Sequence, residues 1–114
     1  MALDLYGGPN WVNNWCNSPI IVNASAMEYY KQPMFYVMGH FSKFLIPDSV
    51  KVGLTKVGDQ KLEAVAFERP DNASVLILFN NNTHPISVNI ADDGSGNVHT
   101  DLPANSIQSY IWWH

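Results

Sequence analysis

The sequence predicts an α+β chain in which a helical segment precedes an antiparallel β-sandwich. In the first half of the chain, apolar residues recur at the three- and four-residue steps of a helix. From Asp48 onward, apolar and polar residues alternate in short runs separated by turn-forming residues. A chain of 114 residues can form one small core, since a domain of this size buries roughly two-thirds of its unfolded surface.

The composition favours a folded protein and disfavours nucleic acid as a partner. Hydrophobic residues make up 46% of the chain and charged residues 14%. The formal net charge is −4 and the six basic residues are scattered, so no basic cluster is available to neutralise phosphates or anionic lipids. The longest apolar stretches are too short to cross a bilayer. Because Cys16 is the only cysteine, no internal disulfide can form, and we interpret it as a buried free thiol.

Residues 1–24 combine many turn-forming residues with three large aromatic residues, Tyr6, Trp11 and Trp15. Turn formers at this density predict a loop rather than a periodic element. Long loops in compact domains are usually functional or disordered, and two tryptophans argue against disorder. We therefore expect an ordered, functional loop.

Residues 25–46 are predicted to be helical. Ser25 and Glu28 have the spacing of a capping box, and Pro33 suits the first turn of a second, longer helix. Pro47 ends the segment. The apolar stripe of the longer helix consists of Met34, Val37, Met38, Phe41, Phe44 and Leu45.

The remainder of the chain predicts a sandwich of six strands, at residues 50–55, 61–68, 74–80, 86–90, 98–101 and 106–113. The third of these strands is apolar on both faces, which is typical of a central, doubly covered strand. The last strand also has two apolar faces, and a two-layer sandwich covers only one face of each sheet. We therefore expect a sandwich that is incomplete without further strands.

Four strings resemble those of glucosylceramidases, acid β-glucosidases of the glycoside hydrolase clan built on (β/α)8 barrels. They are GGPNWV at 7–12, SPIIV at 18–22, YKQPMFY at 30–36 and GHFSKF at 39–44. The likeness continues loosely to YIW at 110–112. It implies that residues 1–46 are the C-terminal end of the catalytic barrel, with its last βα loop and last helix. Residues 47–114 then form the C-terminal β-sandwich domain, which N-terminal strands complete in this family.

The resemblance also implies an activity, that of a retaining β-glucosidase hydrolysing glucosylceramide to glucose and ceramide. The same resemblance implies a lysosomal location, a saposin-type activator and a substrate at a membrane surface. No cofactor is expected. Such hydrolysis needs two carboxyl groups, but Glu28, Glu63 and Glu68 match no catalytic motif of the family. We therefore expect this chain alone to be inactive. The alternative is a non-catalytic β-sandwich module that binds carbohydrate or protein.

Asn14 is the candidate substrate-binding residue. By its position after the GGPNWV string, it matches the family asparagine that hydrogen-bonds the glucosyl unit. An amide offers both a donor and an acceptor to sugar hydroxyls; the alternative is that Asn14 closes a turn. Trp15 is a second possible contact, to a sugar face or the aglycone, although it could equally anchor the loop.

Three sequons make Asn23, Asn72 and Asn81 candidate glycosylation sites and favour the secretory pathway. Chance is the alternative, because asparagine is frequent in this chain. The four histidines are dispersed without metal-ligand spacing, so no metal site is predicted. The Asp92–Gly96 segment lacks the further oxygen ligands of a calcium loop and is predicted to be a hairpin turn.

Overall fold

The computed structural model describes residues 1–8, 12–13, 15–58 and 61–114. These residues form two compact units, Met1–Phe41 and Ser42–His114. The described part of the first unit contains three short strands and most of one helix, and that of the second contains six strands. The α+β fold class predicted from the sequence is confirmed.

The first unit is organised by a three-stranded sheet in the order β1 (Ala2–Asp4), β2 (Ile20–Asn23), β3 (Glu28–Lys31). β1 runs parallel to β2, with Ala2 opposite Ile20, and β2 pairs with β3 in antiparallel fashion. The two ends of the segment predicted as a loop are thus strands. Both are short and flanked by turn formers, and their pairing joins residues far apart in sequence, so local patterning carries no signal for it.

The predicted helix over residues 25–32 is wrong, because β3 occupies part of this segment. The side chain of Asn23 organises a turn, in which its Oδ1 accepts hydrogen bonds from Ser25 Oγ (2.9 Å) and from the backbone N–H of Ala26 (3.3 Å). Met27, with φ +55°, leaves the turn in the left-handed region. The Ser25 hydroxyl therefore donates a hydrogen bond to Asn23 instead of capping a helix N-terminus. A local asparagine turn forms where the capping box was predicted.

The helix α1 (Pro33–Ser42) begins at the predicted proline but ends four residues before residue 46. None of its residues is buried, and Val37, Met38 and Phe41 of the predicted apolar stripe are exposed. Beyond the helix, the carbonyl of Ile46 accepts hydrogen bonds from the backbone N–H of Ser49 (3.1 Å) and from its hydroxyl (2.7 Å). This turn leads the chain into the first strand of the sandwich.

The six predicted sandwich strands are all present. They are β4 (Val50–Val52), β5 (Leu62–Glu68), β6 (Ala73–Asn80), β7 (Ile86–Asp92), β8 (Gly96–Leu102) and β9 (Ser106–Trp113). One antiparallel sheet has the order β4-β5-β6-β9, and β7 and β8 form a two-stranded sheet. β6 lies between β5 and β9 and is buried along most of its length, as its doubly apolar pattern predicts.

The hydrophobic core of the second unit lies between these two sheets. Its buried cluster draws on β5, β6, β7 and β8 and consists of Leu62, Leu76, Leu78, Ile86 and Leu102. Tyr110 and Trp112 of β9 pack against this cluster from one face of their strand. Trp113, on the opposite face, is 61% exposed.

Asn80 closes one end of the sandwich from the inside. Its side chain is fully buried, and its Nδ2 lies 3.0, 3.2 and 2.9 Å from the carbonyl oxygens of His84, Leu102 and Pro103. Its Oδ1 accepts from the backbone N–H of Asn82 (2.9 Å). One amide therefore joins the end of β6, the turn that follows it and the connection from β8 to β9, which leaves no polar atom of this side chain unsatisfied.

Candidate functional site

Residues 5–19 belong to the segment predicted as a functional loop, residues 1–24, and they leave the sheet of the first unit at the end of β1. There Oδ1 of Asp4 accepts hydrogen bonds from the backbone N–H groups of Tyr6 (2.9 Å) and Gly8 (3.0 Å). The backbone carbonyl of Asp4 accepts a third, from Gly7 (3.2 Å). A single aspartate thus fixes the direction in which the loop leaves the strand.

The two limbs of the loop approach each other at Gly7. This residue has φ +68°, and a Cβ placed on it would lie 3.3 Å from the carbonyl oxygen of Cys16 and 3.5 Å from the Trp15 ring. Glycine is required here both by its backbone conformation and by the closeness of the other limb. The indole of Trp15 is consequently held beside the start of the loop.

The second limb is anchored at Ser18, which is fully buried. Its hydroxyl lies 2.9 Å from the carbonyl of Met1 and 2.8 Å from that of Ile20, so it bridges the beginnings of the paired strands β1 and β2. The backbone N–H of Ser18 donates to Oδ1 of Asn17 (2.9 Å). The described parts of the loop are therefore fixed at both ends by polar side chains.

Chemically, this loop can offer hydrogen bonds and aromatic faces but no formal charge near neutral pH. Residues 5–19 contain no Asp, Glu, Lys, Arg or His. Trp15 is 68% exposed and Tyr6 is also exposed, so both rings are available to a ligand. Amides and exposed aromatic rings together suit a neutral polyhydroxylated ligand such as a sugar.

The residues predicted to carry function are only partly described. Asn14, the candidate substrate-binding residue, and Trp11 lie outside the described residues. Trp15 lies on the surface, where it could contact a ligand. The prediction that Cys16 is buried is wrong, since its thiol is exposed. Cys16 sits on the loop limb next to Trp15, and the described residues of the first unit include no buried hydrophobic side chain.

A polar cluster in the sandwich was not predicted from the sequence. The indole N–H of Trp112 donates to Oδ2 of Asp92 (2.6 Å), and the His114 ring bridges the hydroxyls of Ser74 (2.7 Å) and Ser95 (2.9 Å). The hydrogen bond from Trp112, followed by that from the Gly94 backbone, lowers the pKa of the Asp92 carboxyl. The cluster ties the β7–β8 turn to β6 and to the end of β9.

Comparison with known proteins divides the chain into two parts. Residues 48–110 match the profile of the glycosyl hydrolase family 30 β-sandwich domain, and residues 1–45 match that of the glycosyl hydrolase family 30 TIM-barrel domain. The sandwich match alone covers more than half of the chain. The chain belongs to glycosyl hydrolase family 30. This confirms the resemblance on which the sequence-based expectations rest.

Among relatives of this family 30 chain, mouse lysosomal acid glucosylceramidase is 43% identical over 112 residues, which is 98% of this chain and 22% of the relative. Two solved structures are each 27% identical and match 99% of this chain. SrfJ from Salmonella typhimurium has a TM-score of 0.91 with 25% of its length covered, and an endo-β1,6-glucanase has a TM-score of 0.87 with 26% covered. The chain thus spans about a fifth of the length of the curated relative.

The glutamates of this family 30 chain do not form a retaining pair within the sandwich. Glu63 and Glu68 both lie on β5, five residues apart. At about 3.4 Å per residue they are about 17 Å apart along the strand, whereas retaining enzymes place their carboxyl groups about 5–5.5 Å apart. In the first unit, Oε2 of Glu28 accepts a hydrogen bond from the hydroxyl of Tyr30 (3.0 Å).

The three sequons of this family 30 chain lie at or beside turns. Asn23 precedes the β2–β3 turn, Asn72 lies in the β5–β6 turn with φ +60°, and Asn81 follows β6. Within the described ranges, no group of three or more His, Cys, Asp or Glu side chains could hold a metal ion. No helix in the same ranges has the length and apolar character needed to span a membrane.

Proposed function

We propose that this chain is the C-terminal portion of a retaining β-glucosidase that hydrolyses glucosylceramide to glucose and ceramide. The identity of 43% with a lysosomal acid glucosylceramidase, sustained over 98% of this chain, is the observation that carries the proposal. The family 30 barrel and sandwich matches support the same division of parts, with residues 1–46 at the end of a barrel and residues 47–114 in a sandwich. The two catalytic glutamates belong to barrel strands outside this sequence.

In this proposal the loop of residues 5–19 forms one rim of the glucose-binding site. Active sites of (β/α)8 barrels are built from the loops that follow the strands, and this loop follows β1. Asn14 donates and accepts hydrogen bonds with hydroxyls of the glucosyl unit. Trp15 stands beside it and contacts the sugar or the entrance for the aglycone. Because the loop is uncharged, it binds the sugar without competing for the proton that the catalytic acid transfers.

A chimaera tests the proposal directly. The segment of mouse lysosomal acid glucosylceramidase that aligns with this chain is replaced by residues 1–114, and hydrolysis of glucosylceramide is measured at acidic pH. We expect the chimaera to be active and the purified chain alone to release no glucose. An inactive chimaera that is secreted and shows a cooperative thermal transition would contradict the proposal, as would turnover by the isolated chain.

Within the chimaera, Asn14→Ala is expected to lower kcat/KM by about two- to tenfold. The lost contact is a hydrogen bond to an uncharged group, worth about 0.5–1.5 kcal/mol, and 1.4 kcal/mol corresponds to about tenfold in rate. The Tm should change little. Asn89→Ala is the matched control, since Asn89 is exposed on β7 of the sandwich. Equal kinetic constants for the two variants would remove Asn14 from the substrate site.

We further propose a lysosomal location with entry through the secretory pathway, a substrate presented at a membrane surface and a saposin-type activator. The lysosomal assignment of the mouse relative supports the location. The activator is tested by adding purified saposin to the chimaera on glucosylceramide-containing vesicles. Stimulation of hydrolysis is expected, whereas the same rate with and without saposin would contradict this part of the proposal.

A further inference from the structure

The three sequons differ in what the folded chain does with the hydroxyl that each of them requires. N-glycosylation needs an asparagine amide and a serine or threonine hydroxyl two residues later. The three hydroxyls here belong to Ser25, Ser74 and Thr83. The surroundings of these hydroxyls distinguish the third sequon, at Asn81, from the first two.

At the first sequon, both functional groups are engaged within the turn. Nδ2 of Asn23 lies 3.4 Å from the hydroxyl of Tyr30, and its Oδ1 accepts from Ser25 Oγ at 2.9 Å. The same Oδ1 also accepts from the backbone N–H of Ala26. A glycan on Nδ2 would remove one of the hydrogens of this amide and set a bulky group beside Tyr30, in the turn that separates β2 from β3.

At the second sequon, the hydroxyl belongs to the polar cluster of the sandwich. Ser74 Oγ is 2.7 Å from the His114 ring, on strand β6. Asn72 itself has φ +60°, donates its backbone N–H to Arg69 (3.1 Å) and accepts that of His114 (3.3 Å). The sequon is therefore split between a tight turn and a paired strand, and its hydroxyl is hydrogen-bonded to His114.

The third sequon faces outward on a turn that is held from the inside. Asn81 and Thr83 are exposed, whereas the intervening Asn82 points inward and its side chain donates to Oδ1 of the buried Asn80 (2.9 Å). The backbone of this turn is fixed on two further sides. Asn81 N–H donates to the Lys61 carbonyl (3.2 Å), and the Asn82 carbonyl accepts from the Asn105 N–H (3.0 Å).

We propose that Asn81 is the N-glycosylation site of this chain and that Asn23 and Asn72 remain unmodified in the folded protein. Among the described residues, neither the Asn81 amide nor the Thr83 hydroxyl makes a side-chain hydrogen bond that glycosylation would break. Because Asn80 and Asn82 make the inward side-chain contacts of this turn, we expect a glycan on the Asn81 side chain to leave those contacts in place. A rigid, outward-facing turn accommodates a bulky, solvated group at no cost in packing.

The modification is a transfer from an oligosaccharide carried on a lipid pyrophosphate. A bond forms between Nδ2 of Asn81 and the anomeric carbon of the first sugar, and the bond from that carbon to the pyrophosphate oxygen breaks. The lipid pyrophosphate leaves as an anion, and the proton lost by the amide passes to a base of the transferase. This inference uses the secretory route proposed above but none of the glucosidase chemistry.

The test is site occupancy in the full chain, secreted from insect cells with a cleavable leader. Peptides are treated with peptide N-glycosidase F in heavy-oxygen water, which converts each glycosylated asparagine into a mass-labelled aspartate. We expect the label at position 81 in most molecules and at neither 23 nor 72. Asn81→Gln and Thr83→Ala should each abolish the single mobility shift on a gel, whereas Thr83→Ser should retain it.

Two outcomes would overturn the proposal. One is a chain that has lost its leader, and so has entered the secretory lumen, yet carries no label at Asn81. The other is predominant labelling at Asn23 or Asn72. Since occupancy is also measured on chain retained in the cell, a failure of secretion does not hide the result. Glucosidase activity plays no part in the readout, so the fate of the glucosidase proposal is decided separately by the chimaera.

Discussion

The two units of the chain bury their side chains very differently. In the described residues, all buried hydrophobic side chains lie in Ser42–His114, where they form the sandwich core. In the described part of Met1–Phe41, β3 is exposed along its whole length and Ser18 is the one buried residue. A ten-residue helix and a sheet of three- and four-residue strands are marginal without an apolar core. We infer that the second unit supplies the stability of the isolated chain.

The largest expected effect comes from truncating the same residue type in each unit. Leu102 is fully buried in the sandwich core, whereas Leu5 is 51% exposed at the end of β1. Leu102→Ala should lower the free energy of unfolding by about 2–5 kcal/mol through lost burial and the cavity left behind. Leu5→Ala should change it by less than about 0.5 kcal/mol. Urea titration followed by far-UV circular dichroism measures both, and similar losses would break the contrast between the units.

A smaller difference is expected between the buried polar residues of the two units, Asn80 and Ser18. Asn80→Ala leaves three carbonyls in the sandwich without their amide donor, and we expect a loss of about 2–3 kcal/mol. Ser18→Ala removes one hydroxyl between Met1 and Ile20 and should cost about 1 kcal/mol. The same urea titrations apply. A larger loss at Ser18 would mean that the first unit contributes more stability than its exposure indicates.

The smallest predicted effect is a pH dependence confined to the sandwich. The indole of Trp112 holds the pKa of Asp92 below its usual value. A carboxyl with a lowered folded-state pKa stabilises the fold above its unfolded pKa of about 3.9, and this contribution disappears as the pH falls through the folded-state pKa. The Tm difference between the wild type and Asp92→Asn should therefore be present at about pH 5 and shrink below about pH 4. Asp93→Asn, at the exposed neighbouring residue, is the matched control.

The contrast between the units also explains what could be predicted from the sequence. The sandwich strands were predicted correctly because burial patterns each strand separately, as the alternation of buried and exposed residues along β7 illustrates. The parallel pairing of β1 with β2 was missed because it joins Ala2 to Ile20 across a loop that has no periodicity. The segment that contains β3 was assigned to a helix because Ser25 and Glu28 have the spacing of a capping box. In the structure the Ser25 hydroxyl instead donates to Asn23, and an asparagine turn forms there.

The sequence contains no comparable signal for the contacts of the polar residues that organise the structure. Asn80 reaches carbonyls up to 23 residues away, and Trp112 reaches Asp92 across 20 residues. Such contacts depend on the final packing of turns against strands, which no local pattern encodes. For Asn14 the prediction came from family resemblance alone, and it stays a prediction.

The parallel register of β1 and β2 determines how the loop between them can vary in length. Two neighbouring parallel strands point the same way, so the chain between Asp4 and Ile20 has to travel back before the second strand can begin. Asp4 fixes the backbone at the end of β1, and Ser18 fixes it at the beginning of β2, independently of the residues between them. Residues can thus be added to or removed from the middle of this passage without shifting either strand. A change in the length of this passage would therefore leave the sheet of the first unit intact.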